Sequence, residues 1–146
     1  MGNNKSLYSK PDLLTYYIDK KDQNNILKLL EADPDLVEAP IGKNKQETPL
    51  MKACFNGNGE IVELLLRHKA DPNHVGIKGE TPLTYAVKRD HFEVVEKLLE
   101  FGANPTHVSQ IGLRVIEYAI LGGFYSTAQL IFNRLSRKEK EDIQDP

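Results

Sequence analysis

A shift of 33 residues lays the middle of this chain onto itself without a gap. Thr48-Pro49-Leu50 falls on Thr81-Pro82-Leu83, Ala53 on Ala86, Ile61-Val62 on Val94-Val95, and Leu65-Leu66 on Leu98-Leu99. Ala70-Asp71-Pro72 falls on Ala103-Asn104-Pro105, and His74-Val75 on His107-Val108. A fixed period of this length marks stacked units, each of which buries its apolar face only against its neighbours. Such an array presents a surface and seldom carries a chemical site.

Each unit reads as two short helices and a loop. In the second unit Thr48 can cap free backbone N–H groups, and Pro49 suits a first helical position. That helix is expected to end near Asn56-Gly57, with a second from about Glu60 to His68. Ile61, Val62, Leu65 and Leu66 form one apolar stripe. Asp71-Pro72-Asn73 turns the chain, and residues 73–80, with Gly76 and Gly79, predict a protruding hairpin. In the third unit Thr81-Pro82 opens a helix, Asp90 takes the tight turn, Glu93 to Phe101 forms the second helix, and Gly102 stops it. The fourth unit keeps the period but has Arg114-Val115-Ile116 where Thr-Pro-Leu stood, then Ala119, a Gly123 turn and a helix from about Ser126 to Leu135. The charged run Ser136 to Glu141 reads as a solvated cap or tail. The first unit is divergent, with helices over Pro11–Ile18 and Asn24–Glu31 and a longer loop, Glu38–Glu47, carrying Lys43 and Lys45.

Bulk properties narrow the function. Hydrophobic residues are 40% of the chain, enough for a sizeable core. A net charge of −2 argues against a nucleic-acid binder that works by neutralising phosphates. The single cysteine, Cys54, cannot form an internal disulfide, which fits a reducing compartment. No apolar run approaches the roughly 20 residues of a membrane span, and no secretory signal opens the chain. The expectation is a cytoplasmic protein, with nothing that calls for an obligate homo-oligomer.

The third unit reads Gly79-Glu80-Thr81-Pro82-Leu83, Ala86, Asp90-His91, Val94-Val95, Leu98-Leu99 and Gly102-Ala103-Asn104-Pro105. This pattern resembles the ankyrin repeat, and the likeness extends over about residues 11–135. Two departures are visible: Asp90 replaces the usual turn glycine, and Met51 and Thr84 replace the histidine of Thr-Pro-Leu-His. They predict less regular first turns. The resemblance implies an all-α solenoid of helix-turn-helix units with protruding hairpin loops. The expected organisation is an N-terminal segment 1–10, a divergent capping repeat 11–46, repeats 47–78 and 79–111, a C-terminal capping repeat 112–135 and a charged tail 136–146.

The resemblance also implies where a protein partner binds: along the first helices, on the concave side, and at the finger loops. Carried over by position, the exposed first-helix residues are Lys52, Phe55 and Asn56, then Tyr85, Lys88 and Arg89, then Tyr118, Leu121 and Gly122. The fingers carry His74, Val75, Ile77 and Lys78, then His107, Val108, Gln110 and Ile111. Phe55, Tyr85, Tyr118 and Leu121 read either as a continuous anchor stripe or as packing between repeats. The apolar finger residues read either as a docking tip or as finger-to-finger packing.

No metal is expected, because His74 and His107 sit about one repeat apart and no cysteine or carboxylate cluster joins them. His91 is expected in a structural role and Cys54 in the core. No acid–base pair, phosphate loop or nucleophile elbow is present, so neither enzyme activity nor a cofactor is expected. Met1-Gly2-Asn3-Asn4-Lys5-Ser6 fits N-myristoylation at Gly2. One acyl chain, beside lysines offset by Asp12, Asp19 and Asp22, predicts at most weak or partner-mediated membrane association.

Overall fold

The computed structural model describes residues 7–44 and 46–144. Among them are nine α-helices: α1 (Lys10–Asp19), α2 (Gln23–Ala32), α3 (Pro49–Asn56), α4 (Gly59–Arg67), α5 (Pro82–Lys88), α6 (Phe92–Glu100), α7 (Val115–Gly122), α8 (Tyr125–Arg134) and α9 (Arg137–Gln144). Helices α1 to α8 form four pairs in chain order. The first members, α1, α3, α5 and α7, pack side by side in one layer, and α2, α4, α6 and α8 form the other. One apolar core runs through the stack from Leu14 to Leu135. Leu65 and Leu98 are completely buried, and Leu66 and Leu99 nearly so.

The helix starts follow from their caps. The Thr48 side chain accepts from Met51 N–H at 3.3 Å, and Pro49 begins α3 with no donor to satisfy. Asn58 caps α4 by accepting from Ile61 N–H at 3.3 Å. Thr81 and Thr84 form a reciprocal capping box at the head of α5. Asp22 caps α2, accepting from Asn25 N–H at 3.1 Å.

The turn between paired helices is left-handed in all four units: φ is 58° at Lys21, 76° at Gly57, 53° at Asp90 and 76° at Gly123. Asp90 therefore takes the glycine conformation, one that aspartate tolerates better than most residues. The Thr127 hydroxyl, fully buried on α8, donates to Asp90 Oδ1 at 2.7 Å. The preceding helix is one residue shorter than α3, seven against eight.

The fingers differ from one another. Antiparallel bridges join Ile41 to Glu47 and Val108 to Arg114, so the first and third are narrow hairpins. The middle finger, read from sequence as a hairpin, instead forms a 3-10 turn over Ile77–Gly79, with Gly76 N–H donating to Glu80 C=O at 2.9 Å. The charged run read from sequence as a solvated cap or tail is helical and largely exposed. It folds as α9, opened by Ser136, whose Oγ accepts from Glu139 N–H. Ile143 of α9 packs against the core, and Lys140 lies over the Phe132 ring.

Candidate interaction surface

The first-helix layer gathers the expected partner-binding side chains, but not as one stripe. The repeat places Lys52, Tyr85 and Tyr118 in one row, and Phe55, Lys88 and Leu121 in another. The two tyrosines pack on the core, and their hydroxyls are engaged within the protein. Tyr85 Oη donates to Glu47 Oε1 at 3.1 Å, while Tyr118 Oη and Ser109 Oγ lie 3.0 Å apart. Burial, then the charge of Glu47 and the hydrogen bond to it, push the Tyr85 phenol up to about 12. Lys88 sits between the two apolar residues of the second row. Its ammonium bonds Glu80 at 2.8 Å and lies 5.6 Å from the Tyr118 ring centre.

What remains exposed is narrower than the stripe. Phe55 is 43% exposed, and the Arg89 guanidinium stacks on its ring at 4.2 Å. Arg89 makes no ion pair among the described residues, so its charge faces outward beside an aromatic ring. Lys52 and Asn56 both reach Asp19 of α1, at 3.4 Å and 2.8 Å. A cleft between α3 and α5 is bounded by Glu47, Met51, Lys52, Phe55 and Tyr85 and holds ≈ 210 Å³. That falls below the roughly 300–1,000 Å³ of small-molecule sites. Farther along the layer Leu121 is 75% exposed.

The fingers pack on one another and still expose apolar tips. Gln110 N–H donates to Lys78 C=O at 3.0 Å, and His107 Nε2–H donates to Gly79 C=O at 2.7 Å. The approach is close enough that a Cβ on Gly79 would meet Gln110 N at 2.9 Å. At the finger bases Asn73 donates to Gly102 C=O and accepts from Asn104 N–H, at 3.0 and 2.7 Å. Finger-to-finger packing is thus present, and part of each tip stays exposed. His74, Ile77 and His107 are half-buried, whereas Val75, Lys78, Val108, Gln110 and Ile111 are exposed.

The remaining polar candidates are structural. His91 Nε2–H donates to Phe55 C=O at 3.1 Å, tying the α5–α6 turn to the end of α3. Cys54 is completely buried, and desolvation pushes its thiol far up, away from the reactive thiolate. No cluster of three or more metal-ligating side chains occurs among the described residues. No helix among them is long and apolar enough to cross a membrane. Gly2, the lipidation candidate, lies outside the described residues.

Sequence reasoning missed the second-helix face. There Phe92 and Tyr125 stand out from α6 and α8 as exposed aromatics. The signal was available: the 33-residue shift puts both on the position of Gly59.

A family model described as ankyrin repeats (three copies) matches residues 14–109, more than half of the chain. No curated protein sequence matches it significantly. Helices α7 and α8 continue the stack beyond the matched segment. Arrays of this kind are generally protein–protein interaction modules and typically non-catalytic. With the repeated helix pairs, the shared core and the family match in agreement, the chain belongs to the ankyrin-repeat family.

Proposed function

We infer that the protein is a non-catalytic adaptor, or a subunit of a larger intracellular assembly, that grips a protein partner with its first-helix layer and finger tips. The observation that carries this reading is Arg89 stacked on the exposed Phe55, at the mouth of the α3–α5 cleft. An aromatic ring beside an unpaired guanidinium is the composition of an interface hot spot. The exposed Val75, Val108 and Ile111 extend the apolar surface along the fingers. Tyr85 acts here by holding a wall of the cleft, and its hydroxyl, like that of Tyr118 farther along the layer, is already bonded within the protein.

The test is quantitative co-purification from native extract, followed by titration of the partner recovered. Replacing Tyr85 and Arg89 together by alanine is expected to weaken binding by more than roughly 2 kcal/mol. Changing Glu63 and Lys97, on the second-helix face, should leave it unaltered. Equal losses from both pairs would refute the assignment. Stoichiometric recovery in a large complex favours a structural subunit, and substoichiometric, signal-dependent recovery favours a regulator. A second reading, a reversibly tethered regulator, rests on the Gly2 motif alone. Intact mass of protein from its natural cell, lacking a C14 acyl group on Gly2, would remove it.

A further inference from the structure

At the junctions between the first three units, the residue one place before a left-handed turn meets the residue two places before the turn of the preceding unit. With turns at Lys21, Gly57 and Asp90, these pairs are Asn56 with Asp19 and Arg89 with Phe55. The first pair is a hydrogen bond. Asn56 Nδ2–H donates to Asp19 Oδ1 at 2.8 Å, and Lys52 reaches the same carboxylate at 3.4 Å. In the second pair the donor is a guanidinium and the carboxylate has become a ring. Arg89 lies 4.2 Å from the Phe55 ring centre and has no hydrogen-bond or ion-pair partner among the described residues. Its N–H donors are left to solvent. Lys52 of α3 and Lys88 of α5 have Asp19 and Glu80 as partners. Asp90, the neighbour of Arg89 in sequence, accepts from the Thr127 hydroxyl. Arg89 thus keeps the donor position of the repeat and lacks the carboxylate that fills it one unit earlier.

We propose, resting on the first-helix reading above, that the partner supplies the missing carboxylate: this surface takes a segment of a partner protein in which an aspartate or glutamate, next to an apolar residue, meets Arg89. The guanidinium bonds the carboxylate along its edge while Phe55 covers its face. The apolar neighbour enters the cleft bounded by Met51, Phe55 and Tyr85. Charge decides among the occupants. Glu47 bounds the same cleft at the start of α3, whereas Phe55 and Arg89 stand at its other end, so the cleft is negative at one end and positive at the other. A chain of phosphates or an anionic lipid surface laid along it would meet Glu47 and be repelled. A second copy docked by a two-fold axis through the site would set Arg89 against itself. A segment with one carboxylate toward Arg89 and a neutral or basic residue toward Glu47 satisfies both ends.

The experiment pans a random-sequence peptide library displayed on phage against the immobilised full chain, with Arg89→Ala as a parallel bait. Clones carrying Asp or Glu next to an apolar residue should dominate the parental pool and be depleted on the variant. The leading clone is then synthesised, with its acidic residue intact or changed to the amide, and titrated calorimetrically into both proteins. The amide change should weaken binding to the parent by about tenfold or more, and to Arg89→Ala by less than about twofold. Arg89 is exposed, so Arg89→Ala should melt with the parent. Arg89→Lys, which keeps the charge and loses the fork, should restore only part of the difference. A parental pool no richer in acidic clones than the starting library, an amide change equally costly on both proteins, or self-association of the parent lost in Arg89→Ala would each overturn the proposal. Clones without an acidic residue that still need Phe55 and Tyr85 would overturn it and leave the first-helix reading standing. Clones indifferent to Phe55→Ser and Tyr85→Ala would remove both.

Discussion

Asp90 is a left-handed residue held by one hydrogen bond, and replacing it with glycine sets two effects of known sign against each other. Relief of the left-handed backbone stabilises by roughly 1–2 kcal/mol, about half of which is returned through the greater freedom of glycine in the unfolded chain. The same change deletes the bond from the buried Thr127 hydroxyl to the Asp90 carboxylate. A bond to a charged acceptor contributes about 1.5–3 kcal/mol, so Asp90→Gly should destabilise the protein by about 1 kcal/mol. Thr127→Val removes the hydroxyl while nearly conserving shape. In that background the bond no longer counts, and Asp90→Gly should become stabilising by roughly 0.5–1 kcal/mol. Urea melts of the four proteins give the coupling energy directly, expected at about 1.5–3 kcal/mol. A coupling near zero, or Asp90→Gly stabilising the parent as much as the valine variant, would refute the account. Lys69 is a useful control, because it is left-handed at φ 69° and corresponds to Gly102 one repeat later. No side-chain bond opposes its replacement, so Lys69→Gly should be neutral or stabilising.

Leu98 is completely buried in the second-helix layer, and Leu98→Ala should cost about 2–5 kcal/mol in a chemical melt; parental stability would show the assigned register to be wrong. Tyr85 should ionise last in an alkaline spectrophotometric titration, and its stabilising contribution should be complete below the ordinary phenol range and be lost progressively as pH rises through that range to about 12. Glu47→Gln should bring the Tyr85 midpoint down without fully normalising it, because burial remains. The hydrogen bond from Lys97, then that from Arg67, holds the Glu63 carboxyl below its ordinary value. Its contribution is therefore complete above the usual carboxylate range and lost as pH falls through the lowered value, so the small penalty of Glu63→Gln at neutral pH should vanish in acid and shrink in salt.

The helix pairs were legible because their signal is local and repeated. Thr48-Pro49 and Thr81-Pro82 mark the starts, and paired apolar residues at fixed offsets mark the buried faces. Helix α9 was not legible, since Arg137 to Gln144 carries a single apolar residue, Ile143, and no period at all. The first-helix surface was legible as a set of positions and not as a pattern. Applying the repeat to each residue separates Tyr85 and Tyr118 from Phe55 and Leu121. Even so, the partners of the tyrosine hydroxyls, Glu47 and Ser109, depend on how the fingers fold back. The middle finger's 3-10 turn was hidden for the same reason. It is set by its packing on the neighbouring loop more than by the local run Gly76 to Glu80.

The ties between fingers bear on the thermodynamics of any partner that engages them. Surface loops ordinarily surrender backbone freedom when they bind, a cost that offsets much of the favourable interaction. Here Lys78 C=O and Gly79 C=O already hold Gln110 N–H and the His107 ring, and Asn73 clamps the bases. The tips are thus arranged before a partner arrives. Association through them would order exposed side chains and little main chain, so its unfavourable entropy should be small for a surface made of loops.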